Sequence, residues 1–478
     1  MTLDFDACYR ALASRDPRFD GRFVAGVLST GIYCRPVCPA RLPKPEHVRF
    51  LPSAAAAERA GLRACRRCRP ETAPPPSAAA EHGAVTRRAL RLIEGGYLDL
   101  HPVADLAREL HLSERQLRRI LGDQLGAGPA ELARTRRAGL ARMLIDQTDL
   151  PMARVAAEAG YRSLRRFNDE IRAGFGATPT QLRRRRAAAG DAALVLRLAY
   201  RPPLDWPHLV GFLAARAVPG VEAVQDGAYM RTAVLGGRPA TVTLRPDPDH
   251  PRALLTVRGA GVGTVAEAAA RARRLADLDA DPMAVEMALG ADPAVAASVA
   301  AHPGLRVPGA WDGFELAVRA VLGQQVSVAA ATTAAARLAA RLGEPLPVPE
   351  GPLTTLFPSP EAVAGAPDDA LAMPAGRRRA VRALAAAVAA GDLDLGLTAD
   401  PDAAREGLLA IPGIGPWTAD YIAMRGLRDP DAFPAGDLVI RRVLGGDAGD
   451  ARARAAAWAP WRAYGAIHVW NTTALEGR

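Results

Sequence analysis

Four cysteines constrain this chain more than any other feature: Cys34 and Cys38 are separated by three residues, Cys65 and Cys68 by two, with 26 residues between the pairs. Two short knuckles of this spacing close on one tetrahedral Zn²⁺, so the first seventy or so residues are organised around a metal instead of a large apolar core. A disulfide framework is the weaker reading in a reducing compartment. That compartment is itself expected: the N-terminus MTLDFDACYR is acidic, and no apolar run reaches the ~20 residues needed to cross a bilayer, which predicts a cytoplasmic, membrane-free protein. Cys8 fits neither knuckle and is expected to be a small buried apolar residue.

A chain of 478 residues exceeds what one core serves, and about three or four domains are expected. With 49% apolar and 23% charged residues, wholesale disorder is excluded. Charge is unevenly placed. The first 190 residues carry 33 basic and 20 acidic side chains, net +13; the remainder carries 28 and 31, net −3. The basic half therefore favours a polyanion, and nucleic acid is the usual one.

Composition marks the joints. RPETAPPPSAAAEHG, ending at Gly83, and RRRRAAAGDAA, over residues 183–193, have no periodic apolar pattern and read as linkers. Helical periodicity fills 84–186. From Leu194 to about Val257, alternating runs such as LVLRLAY, ATVTLRP and ALLTVRG predict a small antiparallel sheet, and residues 263–478 return to helices. The expectation is a multidomain, mainly α protein with α+β parts. Its domains are a zinc module (1–75), a helical DNA reader (84–186), a β-containing subdomain (192–304) and a larger helical domain (305–478).

Within 84–186 one pattern occurs twice. A helix over Pro102–Glu109 and a turn lead to Ser113, which caps a helix carrying Arg115, Gln116, Arg118 and Arg119; Met152–Ala159 and a turn lead to Ser163 and a helix carrying Arg165, Arg166 and Asn168. Arg, Gln and Asn at the exposed start of a second helix suit base edges in the major groove, and a long connecting helix near 130–146 would set both readers on one DNA face. The alternative is a helical bundle with a solvated Arg face.

Near the C-terminus, Leu408–Ile411 runs into Pro412-Gly413-Ile414-Gly415-Pro416, and a second helix follows. Gly413 and Gly415 permit a sharp turn that leaves helix-start amides for a phosphate oxygen, the helix-hairpin-helix arrangement, which also serves as a non-catalytic clamp. Asp437 lies 22 residues beyond Gly415, ahead of an apolar-basic helix over Leu438–Leu444. By itself it is an ordinary N-cap. Trp417, Tyr421 and Trp470 are candidates to stack on an electron-poor base, although each alone suits core packing. The sole lysine is Lys44, so this half lacks an amine for Schiff-base chemistry, and with no cysteine after Cys68 it lacks an iron–sulfur site.

Gly31-Ile32-Tyr33-Cys34-Arg35-Pro36-Val37-Cys38-Pro39-Ala40-Arg41 together with Gly61–Pro70 resembles the N-terminal domain of Ada-type DNA methylphosphotriester methyltransferases. The resemblance implies zinc held by Cys34, Cys38, Cys65 and Cys68, with Cys34 the irreversible methyl acceptor. The paired readers, with Ala159-Gly160-Tyr161 and Gly174–Pro179, resemble the AraC-type activator domain, which implies promoter DNA and RNA polymerase as partners. The C-terminal half departs from Ada. Through Pro203–Trp206, Gly211–Ala217, Pro303–Gly309, Ala320–Ser327, the hairpin and Trp458–Tyr464, it resembles AlkA-type 3-methyladenine DNA glycosylases.

This second resemblance implies a monofunctional glycosylase acting on alkylated duplex DNA, with Asp437 as the carboxylate that stabilises oxocarbenium-like charge. It also implies Trp417, Tyr421 and Trp470 as walls of the base pocket, a monovalent cation at the hairpin, and a wedge at Gln325 or its neighbour Val326. A monomer, cytoplasmic and associated with the nucleoid, is expected. The rival reading is a transcription regulator whose glycosylase-like half only grips DNA.

Overall fold

The computed structural model describes residues 3–75, 83–183, 194–259 and 264–476; residues 76–82 of the first linker and 184–193 of the second lie outside the described residues. The chain forms two compact units, the first comprising Met1–Pro202 with two short later segments, the second comprising most of Pro203–Arg478.

In the first unit, Asp4 caps the helix Phe5–Ser14 by accepting from the Ala7 amide at 2.6 Å. Behind it lies a four-stranded sheet. Val24–Val27 sits between Val48–Leu51 and Ile32–Cys34, both antiparallel to it, and Ile32–Cys34 pairs in parallel with Arg63–Ala64. This parallel pairing positions the metal site, because strands running the same way deliver Cys34 and Cys65 to the same end. Cys8 is buried beside Ala11 and Phe23, as expected of an apolar filler, and burial pushes its thiol up to about 11.

The double helix-turn-helix follows in the same unit. The first pair is Val103–Glu109 and Glu114–Leu125, the second Met152–Glu158 and Leu164–Phe175. Leu106, Ala107, Leu117 and Leu121 close the first pair; Val155, Ala156, Phe167 and Ile171 are buried in the second. His111 and Gly160 turn the corners at left-handed φ values of 54° and 88°. The connecting helix, expected near 130–146, spans Pro129–Gln147, and its 19 residues extend about 28 Å.

The zinc module rests on this connecting helix. Glu58 accepts from the Tyr33 hydroxyl at 3.0 Å and from Thr135 at 2.7 Å, Arg69 pairs with Asp146, and Arg66 donates to the Gly176 carbonyl at 2.8 Å. Ser53 donates to the Leu125 carbonyl at 2.7 Å while accepting from the Ala56 amide. Residues next to three of the four cysteines are thus tied to the connecting helix or to the end of the second reader helix.

In the second unit, Glu222–Gln225, Ala228–Leu235, Arg238–Pro246 and Arg252–Arg258 form an antiparallel meander. The first of these strands escaped the sequence reading. Burying Glu222 and Arg231 on the sheet requires charged partners from elsewhere, and the helix Gly313–Leu322 supplies them. Arg231 meets Glu315 at 2.5 Å, and Arg319 meets both Glu222 and Glu315 at 2.8 Å. Every other residue of that helix is buried, so it forms the axis of the helical core, surrounded by Val328–Leu342, Ala375–Ala390, Pro401–Leu409 and Pro416–Gly426.

The expectation of helices alone after residue 263 needs correction. Pro345–Glu350 and Leu353–Thr355 form a β-hairpin, whose Pro-rich sequence removes amide donors and hides the alternating pattern.

Candidate functional site

The sulfur atoms of Cys34, Cys38, Cys65 and Cys68 lie within 4.8 Å of one another, all four side chains are buried, and none forms a disulfide. The Arg35 amide donates to Cys68 Sγ at 3.3 Å, and the Arg35 guanidinium is fixed by Asp20, Thr72 and the Cys68 carbonyl. Four buried soft donors gathered at the ends of two parallel strands fit Zn²⁺, which binds thiolates at about 2.3 Å in a tetrahedron. Zinc is the cofactor of this module, held by these cysteines.

Both reader helices present their polar starts to solvent. Ser113 and Gln116 form a reciprocal capping box, in which Gln116 Oε1 accepts from the Ser113 amide at 3.0 Å and its hydroxyl at 2.8 Å. Gln116 therefore secures the helix start and is not a free side chain. Arg115 and Arg119 are exposed, whereas Arg118 pairs with Glu114 at 2.6 Å. On the second helix Arg165 is 94% exposed and only loosely paired with Asp169 at 4.0 Å; Asn168 is exposed, and Arg166 binds Glu170 at 2.8 Å.

The third site assembles around Asp437. Its carboxylate caps the helix Leu438–Leu444, with Oδ1 accepting from the amides of Val439 at 2.9 Å and Ile440 at 3.2 Å. It also accepts from two indoles, Trp470 Nε1 to Oδ1 and Trp417 Nε1 to Oδ2, both at 3.1 Å. Tyr421 stacks on Trp417 with centroids 5.4 Å apart and tilts toward Trp470 at 6.2 Å. The three aromatic residues singled out in the sequence therefore come together with the one carboxylate, which is half-buried beside Leu438, an apolar side chain left 74% exposed. One side chain serves as both cap and charge.

The hairpin stands next to this cluster. Its helices are Pro401–Leu409 and Pro416–Gly426, the latter capped by Gly415 without a side-chain acceptor for its first amides. Gly413 has φ 95°, and a Cβ there would press to 3.0 Å from that of Ala380. Gln325 is exposed, with a left-handed φ of 57°, and Val326 beside it is 41% exposed.

Sequence reasoning missed the groups behind the aromatic wall. The guanidinium carbons of Arg216 and Arg425 lie 3.7 Å and 4.7 Å from the Phe212 ring centroid, and Arg425 donates to the Tyr421 hydroxyl at 2.5 Å. Burial opposes ionisation of Tyr421, yet Arg425 and Arg216 together draw its hydroxyl below the usual value. The signal available was the segment Gly211–Ala217 itself, which sets Phe212 and Arg216 four positions apart.

Four family models match in succession. They are the metal binding domain of Ada over residues 7–71, a helix-turn-helix domain over 106–185, the AlkA N-terminal domain over 195–312, and the HhH-GPD superfamily base excision DNA repair protein over 318–452. A probable bifunctional transcriptional activator/DNA repair enzyme AlkA of Mycobacterium tuberculosis is 48% identical over 99% of this chain and 97% of its own length. DNA-3-methyladenine glycosylase 2 of Escherichia coli is 40% identical over 58% of this chain and 96% of its own. The bifunctional transcriptional activator/DNA repair enzyme Ada of Escherichia coli is 46% identical, over 15% of this chain and 20% of its own.

Proposed function

Since the chain belongs to the Ada–AlkA fusion family of bifunctional transcriptional activators and DNA repair enzymes, we propose that it senses alkylated DNA with one half and repairs it with the other. The second unit is a DNA-3-methyladenine glycosylase that hydrolyses the bond between an alkylated base and deoxyribose. One observation carries this reading: a single carboxylate, Asp437, is gripped by the indole N–H groups of the same tryptophans that, with Tyr421, offer aromatic faces to a base.

An alkylated purine is already cationic and leaves readily, so no general acid is required. Trp417, Tyr421 and Trp470 hold the extruded base through its electron-poor face. As the glycosidic bond breaks, Asp437 offsets the positive charge on the sugar, and water completes hydrolysis. The hairpin amides near Gly413 and Gly415 hold a backbone phosphate, with a monovalent cation proposed beside them, while Gln325 fills the space the base vacates. The absence of lysine from this half supports a monofunctional enzyme.

In the first unit the thiolate of Cys34, which Zn²⁺ held by Cys34, Cys38, Cys65 and Cys68 would keep deprotonated, attacks the methyl carbon of a DNA methylphosphotriester. A sulfur–carbon bond forms, the carbon–oxygen bond breaks, and the phosphodiester leaves as its anion. Thioether formation removes one negative charge from the site and so lowers its repulsion by the DNA backbone. Arg115, Arg118, Arg119, Arg165, Arg166 and Asn168 then hold promoter DNA, Gln116 supporting the first reader from its cap, and the monomeric activator meets RNA polymerase there. The domains are proposed at 1–75, 84–186, 192–304 and 305–478.

Incubating the protein with alkylated duplex and cleaving abasic sites with alkali tests the repair half. Wild type releases base and Asp437→Asn does not. Release by neither leaves a regulator whose second half only grips DNA. Mass spectrometry of the zinc module after exposure to methylated DNA tests the sensor, with one added methyl expected on Cys34.

A further inference from the structure

The turn that carries Gln325 is held by its preceding neighbour. Gly323 ends the helix Gly313–Leu322, and Ser327 begins Val328–Leu342 by accepting from the Ala330 amide at 3.2 Å, so both sides of the turn are fixed by helix ends. Only Gln324, Gln325 and Val326 lie between. Gln324 reaches across to the hairpin: its side-chain amide donates to the Gly413 carbonyl and to Thr418 Oγ1, each at 3.0 Å. Its backbone carbonyl accepts from Arg377 at 2.6 Å, and Arg377 belongs to the helix Ala375–Ala390, which packs through Ala380 against Gly413.

From this clasp we infer that Gln324 is a positioning residue for base extrusion, coupling the protruding Gln325 tip to the phosphate-holding hairpin. The inference rests on the glycosylase reading above and on a wedge at Gln325. Three features support it. Gln325 holds a left-handed backbone that a residue other than glycine keeps only where its surroundings over-determine it. Both ends of Gln324 are engaged, side chain and carbonyl, so the residue before the tip cannot swing. Its acceptors, Gly413 and Thr418, lie on the hairpin turn and in the first turn of the helix after it, so contact with a phosphate there fixes the height of the tip relative to the duplex.

A clasp of this kind contributes while a paired base is being forced out and the tip must enter the stack. It contributes much less when the lesion already stands unpaired. That asymmetry separates it from ordinary structural support, which would weaken the base pocket for every substrate.

The test is single-turnover release of N7-methylguanine by the full-length protein from two duplexes, one with the lesion opposite cytosine, one with it opposite an abasic analogue. Gln324→Met keeps the side-chain length and removes both donors. It should slow release from the paired duplex by about tenfold, the scale of one lost hydrogen-bonded contact, and slow the unpaired duplex at least fivefold less. Arg377→Met, which opens the clasp while leaving Gln324 in place, should show the same asymmetry and serves if the first variant folds poorly.

Equal slowing on both duplexes overturns the inference, as does full activity on the paired one. The underlying readings fail differently: wild type inactive on both duplexes removes the glycosylase, and Gln325→Ala active as wild type on the paired duplex removes the wedge.

Discussion

Asp437→Asn separates the two duties of that side chain, because the structure assigns each oxygen its own partners. Oδ1 accepts from the Val439 and Ile440 amides and from Trp470; Oδ2 accepts from Trp417, its one partner among the described residues. Asparagine caps helices as well as aspartate and keeps one oxygen for the three Oδ1 donors. Its amide nitrogen would face the Trp417 N–H, donor against donor, at a cost of about 1–3 kcal/mol. Loss of the negative charge at the helix start adds about 0.3–1 kcal/mol. The sum, roughly 2 kcal/mol, lowers the melting temperature of a unit this size by about 4–8 °C and leaves it folded at assay temperature. Chemistry suffers more: removing a preorganised stabiliser of transition-state charge costs about 10²–10³ in rate. Asp437→Ser should be equally inactive although it retains a capping oxygen. Single-turnover base release alongside thermal melts is the assay. A variant that melts as stated but keeps release within threefold of wild type would reduce Asp437 to a cap and refute the reasoning.

Other outcomes follow from the same geometry. Chelating zinc should unfold the cysteine module, since structural zinc contributes about 10–16 kcal/mol of binding energy to such sites, while base release persists; metal release and glycosylase activity measured on one sample check this. Burial, and after it His302 and His208, lower His468 to about 4. The unfolded chain therefore takes up a proton that the folded chain refuses as pH falls from about 6.5 to 4, and stability of the second unit should drop by an amount on the order of 3 kcal/mol. Melts between pH 7 and 4 measure it, and His468→Gln should flatten the slope. Arg165→Ala or Arg119→Ala should weaken operator binding by about 1–3 kcal/mol where the side chain reads a base, with titrations at several salt concentrations as the measure. Arg118→Ala should cost less, because Glu114 already holds that guanidinium.

What was legible in the sequence was local. Cysteine spacing places four sulfurs on one ion because a knuckle is a matter of three or four residues. Ser113 and Ser163 announce their helices because a cap is decided within one turn, and Leu438–Leu444 begins where Asp437 says it should. The same local logic engages Gln116: Ser-x-x-Gln spells a capping box, and this candidate base contact is held at its N3 position by the Ser113 amide and hydroxyl.

The unread features join residues far apart in the chain. Glu222, Arg231, Glu315 and Arg319 are four unremarkable charges until the sheet and the axial helix meet, and only then do they form a buried network in which losing one partner costs about 3–5 kcal/mol. Phe212 and Arg425 stand 213 positions apart, yet both contribute to the wall behind Tyr421. The proposed base site lies between these extremes. Trp417 and Tyr421 share a helix face, Asp437 follows within one loop, and Trp470 arrives from the last helix, so its composition is partly local while its closure is not. Asp437 being readable as a cap does not weaken the catalytic reading. The capping amides and the two indoles fix the carboxylate before any substrate arrives, and a fixed charge stabilises a transition state without the reorganisation that a mobile one requires.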